Sequence, residues 1–288
     1  MSELRVEAFA KINLYLKVTG KRPDGYHDLV TVMQSVSLSD TLSFECLAGE
    51  GIALDCGGRL SCDDSNLIVR AAKDYFAKSR QPFGVRIKLE KHIPMAAGLG
   101  SGSADAAATL RALNALDQNR FSLDELCGIG AAIGADVPFC VVGGTRLCRG
   151  IGEKMEPIEN NLGGFFVVAI AGEGVSTPEA FRALDRINGD FAGVSEEAPV
   201  DLLAVMKKGD LAAARPLFYN MFESAVEPLR PAVSACKQTL LACGAVQAMM
   251  SGSGPSVWGL FESEEKAACA VERLHAEGAR AYLCRAIG

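Results

Sequence analysis

Apolar and polar positions alternate from the start of the chain. In E-A-F-A-K-I-N-L-Y-L-K-V the even positions Ala8, Ala10, Ile12, Leu14, Leu16 and Val18 are apolar, and the odd positions carry Lys11, Asn13 and Tyr15 on the opposite face. A side-chain period of two predicts a strand. Pro23-Asp24-Gly25 supplies turn chemistry, after which L-V-T-V-M-Q-S-V-S-L predicts a second strand and D-T-L-S-F-E-C-L a third. The period then changes. D-D-S-N-L-I-V-R-A-A-K-D-Y-F-A places Leu67, Ala71, Ala72 and Tyr75 at helical spacing, with Asp and Ser as capping candidates. Val85, Ile87 and Leu89 alternate again in a strand that ends at Pro94. Ser103 is the expected cap of a helix carrying Ala106, Leu110 and Leu113 on one face. Ser122 to Glu125 forms a capping box for the next helix, and Gly134 ends it, leaving Asp136 just beyond.

Polar and glycine residues cluster at Ile158–Gly164, which predicts a boundary between domains 1–158 and 159–288. Beyond it follow a strand (Phe165–Ile170), helices from Pro178 to about Cys243, and paired strands flanking S-G-S-G-P-S. A helix from Glu264 to His275 and a last strand, R-A-Y-L-C-R-A-I, complete the chain. The order β-α-β-β-α-β predicts a ferredoxin-like second domain with extra helices.

Composition narrows the chemistry. The 288 residues suffice for two cores, and 49% apolar with 22% charged residues is ordinary for a globular chain. A net charge of −6 argues against a surface that coats nucleic acid, though not against a nucleotide ligand. Ten cysteines without a C-x-x-C pair, and only three histidines, make a zinc site a poor reading; the thiols fit small buried hydrophobes in a reducing compartment. M-S-E-L-R-V-E-A is charged where a secretory signal needs an apolar core, and F-F-V-V-A-I-A is too short to span a bilayer. The expectation is a cytoplasmic protein with no nucleic-acid and no membrane partner.

The residues between Ile93 and Ala108 carry the sharpest signal. I-P-M-A-A-G-L-G-S-G-S-A-D-A-A-A sets Gly98, Gly100 and Gly102 at the mouth of a small-residue helix. A helix N-terminus has unpaired N–H groups and partial positive charge, and glycines let an anion approach them. G-x-G-x-x-G would need glycine at Ser103, and no Gly-Lys-Ser/Thr closes the run, so neither the Rossmann nor the Walker pattern fits. A flexible connection between strand and helix is the plain alternative.

P-x-x-x-G-L-G-S-G-S-A resembles the second motif of the GHMP kinase superfamily. The likeness runs nearly end to end, through A-K-I-N-L-Y-L-K-V-T-G-K-R-P-D-G-Y-H, D-S-N-L-I-V-R-A-A, G-A-D-V-P-F, V-S-T-P-E-A-F and S-G-S-G-P-S-V-W-G. It is strongest to the branch that phosphorylates the 2-hydroxyl of a cytidine-diphosphate-linked methylerythritol, on the non-mevalonate route to isoprenoid precursors. Ser101 stands where that branch usually carries glycine. The resemblance implies an α+β, two-domain GHMP kinase fold. Its N-terminal domain is mixed β/α, its C-terminal domain ferredoxin-like, and its active site lies in the cleft between them.

The resemblance also implies residue roles. Asp136 matches the catalytic base, and Lys11 matches the lysine that orients it and screens phosphoryl charge. Read from residues alone, Asp136 before Val137-Pro138 is a turn former and Lys11 a solvated lysine beside Asn13. ATP falls to Asn66 and Lys91 on the adenine side. Its phosphates fall to the loop of Pro94, Met95, Ala96, Ala97, Gly98, Leu99, Gly100, Ser101, Gly102, Ser103 and Ala104. Asn66 read alone is equally a helix cap, and Lys91 an edge-strand charge. Mg²⁺ is implied because it bridges the β- and γ-oxygens; its ligands are unassigned, and Asp105 is set aside as a helix-dipole acid. For the acceptor, Asn13, Tyr26, His27, Thr177 and Phe181 match, with Tyr26 and Phe181 sandwiching the cytosine and His27 reading its edge. Thr177 is independently a helix cap before Pro178, and Phe181 a residue of an amphipathic core. S-G-S-G-P-S resembles the third superfamily motif, and read alone it is a hairpin loop.

Three other functions fit the sequence less well. Another small-alcohol kinase of the mevalonate, homoserine or sugar type is separated by Tyr26, His27 and Phe181. A catalytically silent sensor is opposed by the presence of both Lys11 and Asp136. A nucleic-acid module is opposed by the acidic balance. Oligomeric state leaves no trace in the sequence.

Overall fold

The computed structural model of the chain describes residues 3–288 apart from 59, 81, 174, 175 and 190. Val175, the first residue of V-S-T-P-E-A-F, lies outside the described residues. The strands are β1 (Leu4–Lys21), β2 (His27–Leu47), β3 (Gly51–Asp55), β4 (Gly84–Glu90), β5 (Thr145–Gly150), β6 (Lys154–Pro157) and β7 (Phe165–Ile170). They continue with β8 (Tyr219–Asn220), β9 (Gln247–Met250), β10 (Ser256–Phe261), β11 (Arg280–Cys284) and β12 (Ala286–Ile287). The helices are α1 (Leu67–Ser79), α2 (Ser101–Leu116), α3 (Leu123–Ile133), α4 (Val137–Val142) and α5 (Thr177–Asn188). After these come α6 (Val200–Lys208), α7 (Leu211–Ala214), α8 (Glu223–Val226), α9 (Pro231–Ala242) and α10 (Glu264–Ala276).

The chain divides into two compact units that interleave in sequence: residues 1–10, 39–95 and 100–143, and residues 11–38, 96–99 and 144–288. A linear division at 158/159 does not describe these units, and the cause is strand length. β1 has 18 residues and β2 has 21, more than one core can cover, so each strand lends its halves to different units. The expected second and third strands are therefore one strand. Asp40 sits inside it rather than in a connection.

In the first unit the later half of β2 pairs antiparallel with β4, which pairs parallel with β3. The alternation anticipated in β4 buries Val85, Ile87 and Leu89. Helix α1 packs on α2, and α2 on α4. Alanines 104, 106, 107 and 108 of α2 are all buried, and such small side chains let neighbouring elements approach closely. The capping box at Ser122 and Glu125 is present, and Gly134 ends α3. Helix α2 departs from expectation: it begins at Ser101, two residues before the anticipated Ser103 cap, and Gly100 at φ +68° occupies the N-cap with no side-chain hydrogen bond.

In the second unit β7, β9, β10 and β11 form an antiparallel sheet in the order β11-β7-β10-β9, with α9 and α10 packed on it. Numbered within that domain the order is 4-1-3-2, the ferredoxin-like arrangement expected from the β-α-β-β-α-β pattern. Its core includes Val167, Ala169, Val257, Phe261, Leu240 and Leu274. The early half of β2 pairs with β5, and β5 with β6. β8 adds in parallel to β1 at Tyr15–Tyr219. The expected last strand breaks at Arg285: β11 stays in the ferredoxin-like sheet, while β12 pairs with β2. Among the described residues, no helix is long and apolar enough to cross a membrane.

Candidate active site

Lys11 and Asn13 are two residues apart on β1, and the strand's alternation puts them on one face. That face is buried: Lys11 is 5% exposed and Asn13 3%. Lys11 is therefore not the solvated lysine that a reading of the residues alone allows. Its Nζ donates to Asn13 Oδ1 at 2.9 Å, and Asn13 Nδ2 donates to Thr31 Oγ1 at 2.9 Å. The Thr31 hydroxyl donates in turn to the Tyr15 carbonyl at 2.6 Å. Trp258 Nε1 donates to the Asn13 carbonyl, and the Lys11 amide to the Leu99 carbonyl. A buried amide with this many partners has one orientation, so its oxygen is held toward the ammonium.

The S-G-S-G-P-S turn meets the early part of the glycine loop. Ser251 Oγ donates to the Gly98 carbonyl at 3.3 Å and accepts from the Asn13 amide at 3.3 Å. Ser256 Oγ donates to the Ala97 carbonyl. Asn220 Nδ2 ties the other side of the turn by donating to the carbonyls of Met250 and Gly252. Gly98 has φ +75°, and a Cβ there would collide with the Ser251 carbonyl, so backbone angle and space both require glycine. The turn is thus both the hairpin between β9 and β10 and a clamp on residues 97–98.

The later part of the loop opens α2. Asn66, Ser122, Ser176, Asp210 and Ser263 cap their helices with side-chain acceptors, whereas the N-terminus of α2, like those of α4, α6, α8 and α9, receives none. Its first N–H groups have no intrahelical acceptor, as at any helix start, and suit an anion. Ser101 turns its hydroxyl inward to the Ile93 carbonyl at 3.4 Å, so it fills the departure from glycine without projecting outward. Met95 is 54% exposed, and Ala96 adopts φ +53°, rare for a non-glycine residue.

Lys91 sits between two carboxylates, Asp40 at 2.5 Å and Asp105 at 2.6 Å, and is no edge-strand surface charge. Asp40 also accepts from the backbone amides of His92 and Ile93, anchoring the chain as it enters the loop. Asp105 Oδ1 is buried without a hydrogen-bond partner. Burial pushes the Asp105 carboxyl up to about 8, with the Asp40 charge adding to it and Lys91 opposing. Asn66 spends its side chain on the α1 cap: Oδ1 accepts from the Ile68 amide, and Nδ2 donates to the Ser61 carbonyl. Asp136 is the N-cap residue of the short helix α4 rather than a free loop residue, with Pro138 in that helix's first turn.

Among the acceptor candidates, Tyr26 follows the Pro23-Asp24-Gly25 turn and is 57% exposed. His27 is buried, stacks on Phe181 at 4.5 Å and 20°, and meets Phe191 edge-on at 5.6 Å. One face of Phe181 is thus covered by the imidazole, and its ring stands T-shaped against Phe222. Thr177 is the first residue of α5 and not its cap; Ser176 takes that place by accepting from the Glu179 amide. The Thr177 and Ser253 hydroxyls lie 3.2 Å apart, which ties the start of α5 to the glycine turn.

The chain is similar to known proteins along nearly its whole length. Residues 66–144 match the GHMP kinases N terminal domain, and residues 202–280 match the GHMP kinases C terminal domain. A 4-diphosphocytidyl-2-C-methyl-D-erythritol kinase of Moorella thermoacetica is 43% identical over 95% of this chain and 95% of its own length. The chain belongs to the 4-diphosphocytidyl-2-C-methyl-D-erythritol kinase family of GHMP kinases. A second member, from Exiguobacterium sibiricum, is 39% identical over 98% of both chains. The crystal structure of a 4-(cytidine 5'-diphospho)-2C-methyl-D-erythritol kinase superposes with a TM-score of 0.85 at 35% identity, covering 99% of this chain and all of that one. As a member of this family the chain is an ATP-dependent kinase with the two-domain GHMP fold.

Sequence reasoning missed Asp40 and Asp185, set Asp105 aside as a helix-dipole acid, and singled out Ser251 only as part of the S-G-S-G-P-S turn. Asp185 did leave a signal, since it lies one helical turn after Phe181 and therefore on the same face.

Proposed function

We propose that this kinase transfers the γ-phosphoryl group of ATP to the 2-hydroxyl of 4-diphosphocytidyl-2-C-methyl-D-erythritol, in the cytoplasm, on the non-mevalonate route to isoprenoid precursors. The observation that carries the substrate is the end-to-end identity of 39–43% with kinases of that name, over 94–98% of this chain in the relatives from E. sibiricum, Gloeobacter violaceus and M. thermoacetica.

Phosphoryl transfer asks for a positioned hydroxyl, a proton acceptor and screening of charge on the transferring group. Asp136 accepts the hydroxyl proton, and Lys11 supplies the screening cation. The buried position of Lys11 supports its role, because an ammonium in a low-dielectric setting acts more strongly than one in water. The first-turn amides of α2, with residues 94–104, hold the phosphates, and the glycine N-cap of that helix, Gly100 at φ +68°, supports this assignment because it leaves no side chain over those amides. Asn66 and Lys91 border the adenine.

With the nucleotide, Mg²⁺ would supply neutralisation of phosphate charge. Among the described residues, no group of three or more His, Cys, Asp or Glu side chains is arranged to hold a metal ion. The Ser103 hydroxyl in the first turn of α2 is a hard oxygen donor of the kind that would hold Mg²⁺. Tyr26 is the stacking platform for cytosine and His27 the reader of the base edge; Phe181, stacked on the His27 ring, backs that imidazole, and Asn13 and Thr177 complete the acceptor side.

The test is ADP release in a coupled assay with the cytidyl-linked methylerythritol, run beside mevalonate, homoserine and galactose. Release that depends on the first alone is the expected result. Faster turnover of any other acceptor overturns the substrate assignment, and release with none of them overturns the kinase reading.

A further inference from the structure

Asp185 bridges two cationic or proton-bearing groups. Its Oδ1 lies 2.7 Å from His27 Nε2, and its Oδ2 lies 2.5 Å from Lys21 Nζ. The His27 ring is fixed by the Phe181 stack on one side and the Phe191 edge on another, and its side chain is only 5% exposed. Burial raises the Asp185 carboxyl, but hydrogen bonds from Lys21 and His27 outweigh it and hold the group below its ordinary value. At neutral pH it is therefore a carboxylate, which only accepts. The proton of the 2.7 Å contact must then sit on Nε2.

A neutral imidazole carries one proton. With Nε2 protonated, Nδ1 presents a lone pair. Cytosine offers an amino group at C4, a donor, where uracil offers a carbonyl, an acceptor. An Nδ1 acceptor bonds the first and repels the second, and the opposite tautomer reverses that preference. Discrimination built on one buried hydrogen bond is large, because the wrong base leaves the site's polar group unpaired.

We propose that Asp185, held by Lys21, is a positioning residue for base specificity: it fixes His27 as the Nε2–H tautomer and thereby selects a cytidine- over a uridine-linked acceptor. This rests on the reading that His27 faces the base edge. Lys21 contributes by engaging the second carboxylate oxygen, so that the first stays aimed at the ring. Asp185→Asn separates the two donors. Its single oxygen must serve either the ammonium or the imidazole, and the charged donor is the stronger claimant. The amide NH₂ then faces Nε2, which has to accept, and the ring proton moves to Nδ1.

The experiment reads the His27 ring nitrogens by ¹⁵N NMR and, separately, the ratio of kcat/KM for cytidine- and uridine-linked acceptors. The chain has three histidines, so removing His92 and His275 one at a time assigns the signals. Wild type is expected to show protonated Nε2 and bare Nδ1. Asp185→Asn is expected to invert that pattern and to lower the cytidine preference at least about tenfold, mostly through KM. A wild-type ring protonated at Nδ1 overturns the proposal, as does a variant whose tautomer and preference fail to change together. Equal use of both bases by wild type, or a preference that survives His27→Ala, overturns the base-edge reading and the specificity claim with it. The tautomer is measured without substrate, so the two failures are distinguishable.

Discussion

Lys11 Nζ is hydrogen-bonded to Asn13 Oδ1 at 2.9 Å, with both side chains buried on one face of β1. The contact fixes where the ammonium points, and that makes Asn13 a handle on the proposed chemistry. Asn13→Ala is expected to lower kcat about 10- to 100-fold by removing one hydrogen-bond partner that orients the ammonium, corresponding to roughly 1.4–2.7 kcal/mol of barrier. Lys11→Met and Asp136→Asn are each expected to lower it by about 10²–10⁴-fold. Circular dichroism and melting temperature check that each variant folds. Near-normal turnover in a folded variant removes that residue from the chemistry.

The cluster of Lys91, Asp40 and Asp105 makes stability depend on pH. The folded-state value of Asp105, about 8, lies well above that of an unfolded aspartate. The folded protein therefore binds the extra proton between those values, and stability is lost as pH rises through that window. Asp105→Asn keeps the neutral shape, so its melting temperature is expected to gain on wild type as pH goes from about 5 to 8. Parallel curves across that range would show that Asp105 is ionised throughout.

Two glycines separate strain from collision. Gly49 has φ +84° with open space around a new Cβ, whereas Gly98 has φ +75° and faces the Ser251 carbonyl. Gly49→Ala is expected to cost about 1–2 kcal/mol, the penalty for a left-handed alanine. Gly98→Ala is expected to cost at least about twice that, with a higher KM for ATP in addition. Denaturant midpoints measure the first effect and nucleotide titration of the rate the second.

Most elements were legible because their burial is local and periodic. β4, α1, α3, α10 and the ferredoxin-like order all follow from spacing within one segment. What escaped was decided by distant partners. Asp40 reads as a break between two strands, and only the amides of His92 and Ile93, some fifty residues on, make it a fully buried member of β2. Asp185 and His27 are 158 positions apart, so no spacing rule connects them. Ser103 and Thr177 were sound capping choices by type, but Gly100 and Ser176 took the positions. Lys11 illustrates the opposite case: alternation placed it on one face with Asn13, yet the partners that hold the backbone of that stretch, Trp258, Ser251 and Leu99, are distant in sequence.

Tyr26 offers a test of the acceptor side that is independent of His27. Its ring is 57% exposed, so truncation costs little packing. Tyr26→Ala is expected to raise KM for the cytidyl substrate about 10- to 100-fold, in line with roughly 1–3 kcal/mol for a stacked base. An unchanged KM would assign the platform elsewhere. Tyr26→Phe is expected to retain most of the affinity, since stacking needs only the ring.

The backbone passes from one compact unit to the other at five points, 10/11, 38/39, 95/96, 99/100 and 143/144. No single splice site can therefore exchange a whole unit with a sister kinase. A chimera joined at 143/144 alone would graft residues 144–288 onto foreign versions of residues 11–38 and 96–99, segments that complete the same core. Recombination in this family is best planned with those two inner segments travelling together with the C-terminal half.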